Sequence, residues 1–446
     1  MPTTFPDFPK DFVWGAATSA FQIEGAAFTD GRAASIWDTF CRTPGAIVDG
    51  SNGDIACDHY HRLDADLDLM RDLGLQAYRF SSAWSRVQPD GAGAWNQKGL
   101  DFYDRLVDGL LARGIAPYLT LYHWDLPQAL QDQGGWANRE VALRFVDYAE
   151  TMARRFGDRL ASIATHNEPW VVATLGHEQG IFAPGLKSRR TATQVSHHLL
   201  LSHGMALLAM RAAGVKAPLG IVLNQAPSVP ATETDGDRAK AKLADGLLVR
   251  WYMDALFRGR YPSDVLLDLG DDAPELHDGD MAIIRTPIDF LGINYYTRSV
   301  VGEPAFTPAP GSELTDMGWE VYPQGLTELL VRLRRDYPLP PVYITENGAA
   351  FADAPDAQGR VHDGDRCRYL QRHIAAVGDA IAADVDVRGY FVWSLFDNFE
   401  WPFGYTKRFG IVHVDYATQQ RTPKDSALWY REFIAAQATG AARPTL

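Results

Sequence analysis

Cysteine is scarce. The 446-residue chain holds three, Cys41, Cys57 and Cys367. They are far apart, odd in number and in no metal-ligand spacing, which argues against a disulfide framework. Basic charge is also short: 42 Lys and Arg face 56 Asp and Glu, for a net charge of -14. Nucleic acid requires a cationic footprint, so the balance argues against it as a partner, and an anionic membrane surface is equally disfavoured. The plain reading of the acidity is solubility. No apolar run is long enough to span a membrane. The stretch Met1 to Lys10 lacks both the basic start and the apolar run of a leader. A cytoplasmic protein is the simplest expectation.

Linkers and short repeats are missing too. Length alone suggests two or three domains, but an α/β barrel with insertions reaches this size as one. What recurs is a strand-like run followed by a helix-like run. Strands are predicted at Phe12–Thr18, Ala77–Trp84, Ala116–Tyr122, Ser162–His166, Leu219–Gln225, Asp289–Tyr296, Pro341–Thr345 and Gly389–Leu395. Between them, Leu63, Leu67, Met70 and Leu73 share a helical face that Gly74 stops. Leu106, Val107, Leu110 and Leu111 form another before Gly114. A third helix spans Asn138–Phe156, with Asn138 as its cap and Gly157 at its end.

Alternating β and α elements imply a parallel sheet. Eight strands over this length fit a closed (β/α)8 TIM barrel with extended βα loops, a single domain over residues 1–446. A doubly wound sheet would need a phosphate-binding fingerprint. The nearest stretch, Gly91-Ala-Gly93-Ala-Trp-Asn96, lacks the third glycine and does not follow the first strand.

Polar residues gather at the predicted strand ends. Arg79 lies on strand two, His123-Trp124-Asp125 after strand three and His166-Asn167-Glu168-Pro169 at strand four. Asn294-Tyr295-Tyr296 ends strand six, Thr345-Glu346-Asn347-Gly348 ends strand seven, and Trp393 through Trp401 closes the series. In a barrel such groups converge at the C-terminal mouth of the lumen. Two carboxylates there can cut a glycosidic bond by complementary roles. One, protonated, gives its proton to the leaving oxygen; the other, ionised, attacks the anomeric carbon. Arg79 favours the ionised form of Glu346, and Tyr296 can donate to the same carboxylate. Burial and that negative charge keep Glu168 neutral. Asn167 is placed to bond the sugar 2-OH.

The motifs resemble those of family 1 glycoside hydrolases, the β-glucosidase family, along nearly the whole chain. The resemblance rests on Phe12-Val-Trp-Gly-Ala-Ala-Thr-Ser-Ala-Phe-Gln-Ile-Glu-Gly25, Tyr78-Arg-Phe-Ser-Ser-Ala-Trp-Ser-Arg86 and Tyr122-His-Trp-Asp-Leu-Pro127. It continues through Asn167-Glu-Pro169, Asn294-Tyr-Tyr296, Tyr343-Ile-Thr-Glu-Asn-Gly348 and Trp393-Ser-Leu-Phe-Asp-Asn-Phe-Glu-Trp401. It implies retaining hydrolysis of β-linked sugars without cofactor or metal. Glu168 becomes acid/base and Glu346 the nucleophile. Gln22, His123, Asn167, Glu400 and Trp401 fall on the glycone hydroxyls. Trp393 lies under the sugar ring, and Trp170 and Trp319 lie on the leaving-group side. Tyr296 and Phe409 border the pocket, with Arg79 and Asn294 in support.

The substrates implied are small β-glucosides and oligosaccharides with an unphosphorylated glycone, glucose first, with fucose and galactose as alternatives. Glu400 would repel a phosphate. Transglycosylation to alcohols uses the same intermediate and stays open, as does assembly into a homo-oligomer. His166 departs from the family pattern, and alternation points it away from Asn167, into packing. The pairs His59/His61 and His197/His198 lack the spacing and carboxylate partners of a metal site.

Overall fold

The computed structural model describes residues 7–302 and 311–439. Residues 1–6, within the stretch read above for a leader, lie outside them. Eight parallel strands close into a barrel: β1 Val13–Ala17, β2 Ala77–Ser81, β3 Ala116–Tyr122, β4 Ser162–Asn167, β5 Leu219–Asn224, β6 Phe290–Asn294, β7 Val342–Asn347 and β8 Val387–Trp393. Each strand pairs with its sequence neighbours, and β1 closes on β8 with Val13 opposite Gly389 and Ala17 opposite Trp393.

The barrel is filled rather than hollow. Tyr118, Tyr343 and Phe391 meet in its lower lumen, with ring centroids 5.0 Å apart for Tyr118–Phe391 and 5.8 Å for Tyr118–Tyr343. Glycines on neighbouring strands make room for such rings. A Cβ on Gly15 would stand 2.7 Å from the Phe391 ring, and one on Gly220 would stand 2.7 Å from that of Phe290. The aromatic plug closes the lower lumen and leaves the upper lumen for polar groups.

The predicted strands all form, β3 with the expected bounds and the others with shifted ends. β2 stops at Ser81 because Trp84–Val87 coils into a helical turn. β7 runs on to Asn347, so Glu346 lies within the strand. β8 begins two residues earlier than expected and ends at Trp393.

The helices follow suit, with three corrections. The helix expected from Asn138 is Glu140–Phe156, and Asn138 serves it from outside: its Oδ1 accepts from Glu140 N at 3.0 Å. Gly157 ends that helix with its backbone still right-handed. In Gln97–Ala112, Leu106, Val107 and Leu110 are buried, but Leu111 is 43% exposed, because one further residue turns it 100° off the core face. Among the described residues no helix is long and apolar enough to cross a membrane.

Candidate active site

The strand ends deliver their polar side chains to one cavity of 410 Å³ at the C-terminal mouth. His123, Glu168, Asn294, Tyr296, Glu346 and Glu400 all reach its wall. So do the aromatic residues Trp170, Trp319, Trp393, Trp401 and Phe409. Gln22, Asn167 and Arg79 do not line it; they are buried directly behind the wall residues that they hold.

Glu346 is gripped on both oxygens. Arg79 Nη1 donates to Oε1 at 2.7 Å, and the Tyr296 hydroxyl donates to Oε2 at 2.6 Å. The second nitrogen of Arg79 donates to Asn167 Oδ1 at 2.7 Å, and Asn294 Nδ2 donates to the same oxygen at 3.1 Å. Asn294 also donates to Glu168 Oε1, while its own Oδ1 accepts from Thr345 at 2.7 Å. One chain of bonds thus joins the carboxyls through Asn294, Asn167 and Arg79. Arg79 is 3% exposed and Glu346 is 3% exposed, so the pair works in a low dielectric.

The two carboxyls differ in electrostatics. Burial pushes Glu168 well above the ordinary carboxylate range, and the charge of Glu346 pushes it further. The Asn294 hydrogen bond and Arg79 only partly oppose this. Burial also raises Glu346, but Arg79 and Tyr296 stabilise its ionised form and hold the rise back. Of the two, Glu168 is therefore the carboxyl pushed further toward its protonated form. Glu400, half-buried beside them, is pushed up to about 8 by desolvation and then by Glu346, with Gln22 opposing from 3.5 Å.

His123 is neutral, because burial and then Arg79 press its pKa well below the usual value. With Oδ1 of Asn167 engaged by Arg79, the Asn167 amide nitrogen faces His123 Nε2 at 3.2 Å and donates to it. The proton of the ring then lies on Nδ1. The imidazole stands nearly parallel to Trp393 and Trp401, with centroids 5.7 and 5.9 Å away. Trp319, Tyr296 and Phe409 form a second aromatic group, 5.5 to 6.2 Å apart, at the other side.

Backbone geometry supports the display. Glu168, Trp124 and Trp401 hold φ of 47°, 79° and 50°, a left-handed conformation that costs a non-glycine residue about 1 kcal/mol or more. The Glu168 amide is tied to Val222 O at 2.9 Å. Gly348 is required by contact: a Cβ there would lie 1.6 Å from the Trp393 carbonyl oxygen. The loop after β8 is anchored by Asp397, which accepts from Arg408 at 2.7 Å, Lys424 at 2.9 Å and Gly410 N at 3.0 Å.

Other sequence expectations find their places. His166 lies outside the lumen, bonded to Ser202 at 2.8 Å and stacked on Phe145 at 4.4 Å. Carboxylates, contrary to the sequence reading, do stand beside three of the paired histidines, at 2.8 Å for His59–Asp66, 2.6 Å for His61–Asp58 and 2.9 Å for His197–Asp280. Each is a separate pair; among the described residues no cluster of three or more such groups could hold a metal ion. Missed from the sequence were Trp124, which donates to Asn167 O at 2.9 Å, and Asn224 and Gln225 at the end of β5, all on the cavity wall. The last two fall inside the predicted strand Leu219–Gln225, so the strand-end signal passes over them.

The family model described as glycosyl hydrolase family 1 matches residues 5–439. The chain belongs to this family. It is 48% identical to β-glucosidase A of Acetivibrio thermocellus, over 96% of this chain and 98% of that one. It is 46% identical to a bifunctional β-D-glucosidase/β-D-fucosidase of Bifidobacterium breve, over 96% of this chain and 98% of that one. A solved family 1 β-glucosidase from Thermotoga maritima superposes with a TM-score of 0.95 at 45% identity, covering 97% of this chain and 99% of the other.

Proposed function

We propose that this family 1 enzyme is a β-glucosidase in which Glu346 is the nucleophile and Glu168 the acid/base. The observation that carries the reading is the unequal bonding of the two carboxyls. Glu346 has a guanidinium on one oxygen and a phenol on the other, whereas Glu168 has only the Asn294 amide. The ionised group attacks the anomeric carbon as Glu168 passes its proton to the leaving oxygen; the glycosidic bond breaks and a glycosyl ester forms. That ester removes the charge on Glu346 and with it one cause of the raised pKa of Glu168. Glu168 then takes a proton from water, which displaces the ester with overall retention.

His123, Glu400 and Trp401 hold the glycone hydroxyls with Gln22 and Asn167 in support, Trp393 lies against the ring face, and Trp170 and Trp319 meet the leaving group. Gln22 and Asn167 would act from behind the wall, through small movements of the side chains they hold. The glycone is unphosphorylated, since among the described residues no Lys or Arg lines the cavity and Glu400 does. The name of the Bifidobacterium breve relative makes fucose the alternative glycone to test.

We also read the chain as one catalytic domain, because β1 closes on β8 and the barrel needs both ends. A cytoplasmic location suits the three cysteines, all free and buried. A kinetic panel of aryl β-glucoside, β-fucoside, β-galactoside and cellobiose tests the reading. Glucosides should give the highest kcat/KM, and a preference for another glycone would overturn it.

A further inference from the structure

A second cavity, of 470 Å³, lies beside the catalytic one. The two share Trp170 and Leu248 in their walls, but none of Glu168, Glu346 and Glu400 borders the second. Two π-helical segments, Val171–Glu178 and Gly246–Arg250, supply its sides, through Thr174 and Glu178 on one and Leu247 and Leu248 on the other. They are the only π-helical segments among the described residues. A π turn re-aims side chains at the expense of ladder geometry, and such turns recur at functional sites.

The chemistry of the lining is mixed. Arg189 Nε lies 4.0 Å from Glu178 Oε1 while the same guanidinium holds Asp268, so one cation is shared by two carboxylates and a free anion is not favoured. Ser228 Oγ is buried and has no hydrogen-bond partner among the described residues; in the short parallel pair Ser228–Pro230 with Ser299–Val301 it stands opposite Ser299, which also lines the cavity. An amide from Gln179, these hydroxyls and the Trp170 indole suit a neutral, polyhydroxylated ring with one apolar face.

We infer that this cavity is a second pyranose-binding site, reached past Trp170. The inference rests on the β-glucosidase reading. The ring is either the distal unit of an oligosaccharide whose other end lies in the catalytic cavity, or a free sugar.

Ala244, half-buried on this cavity's wall and away from the catalytic one, tests it. Ala244→Trp fills the cavity. Its kcat/KM on cellobiose, cellotetraose and 4-nitrophenyl β-glucoside is compared with the parent's, and the aryl glucoside rate is followed with added glucose. If a chain end occupies the site, the variant loses about fivefold or more on cellotetraose, the worth of one or two hydrogen bonds, and keeps the aryl glucoside rate. If a free sugar occupies it, the parent shows a glucose response beyond simple competition, and the variant lacks it. Gln179→Ala, an exposed change that leaves the fold alone, should give the same pattern at about twofold. Identical chain-length and glucose profiles in parent and both variants would overturn the site. A parent inactive on every β-glucoside would instead count against the functional reading.

Discussion

The hydroxyl of Tyr296 donates to Oε2 of Glu346 at 2.6 Å, the oxygen that Arg79, bound to Oε1 at 2.7 Å, leaves open. This phenol is therefore part of what keeps Glu346 ionised. Tyr296→Phe removes a donor to the charged form, so the Glu346 pKa must rise. Because activity requires ionised Glu346, the acidic limb of the kcat/KM–pH profile should move to higher pH, with kcat down about tenfold or more. A profile that keeps its acidic limb would contradict the role given to the phenol.

Glu168→Gln should leave the acidic limb and erase the alkaline one, because the alkaline limb reports loss of the Glu168 proton. Glu400, pushed up to about 8, titrates in the same region and must be separated. Glu400→Gln should weaken glycone binding but keep an alkaline limb. A limb that vanishes in Glu400→Gln and survives in Glu168→Gln would reverse the assignment.

Leaving-group dependence gives another handle on Glu168. Glu168→Ala should slow cellobiose hydrolysis by about 100-fold or more, and an activated aryl glucoside much less, since nitrophenolate leaves without a proton. Equal slowing of both would remove Glu168 from the acid role.

Arg79→Met leaves a carboxylate buried without its cation. Breaking such a pair costs about 3–5 kcal/mol while the remaining group stays charged. Glu346 already titrates above its ordinary value in the fold, and without Arg79 it goes higher. A carboxyl with a raised folded pKa destabilises the fold as pH climbs from the unfolded pKa through the folded one. The thermal-stability deficit of the variant should thus be large at neutral pH and small near pH 4. A deficit independent of pH would mean that Arg79 acts through packing.

Much of this site was legible because a barrel concentrates its signals. Glu168 and Glu346 stand next to apolar strand runs, and a charged group there demands an explanation that the parallel sheet supplies. Asn224 and Gln225 escaped notice because nothing in a short apolar run marks where the ladder ends. Leu111 misled because adjacent leucines do not share a helical face. The second cavity draws on residues from Trp170 to Ser299, and no spacing in the chain announces a wall assembled from so many segments. Nor could the sequence show that Gln22, Asn167 and Arg79 lie behind the wall, since that depth depends on how far each side chain is drawn back by its partners.

The central claim is that Glu346 forms the bond to sugar, and substituting it tests that claim most directly. Glu346→Gly should abolish hydrolysis of an aryl β-glucoside and leave a space for a small anion. Added azide should then restore turnover and give the α-glucosyl azide, because it attacks from the face that the carboxylate used. A β-configured azide, or hydrolysis undiminished by the substitution, would contradict the account.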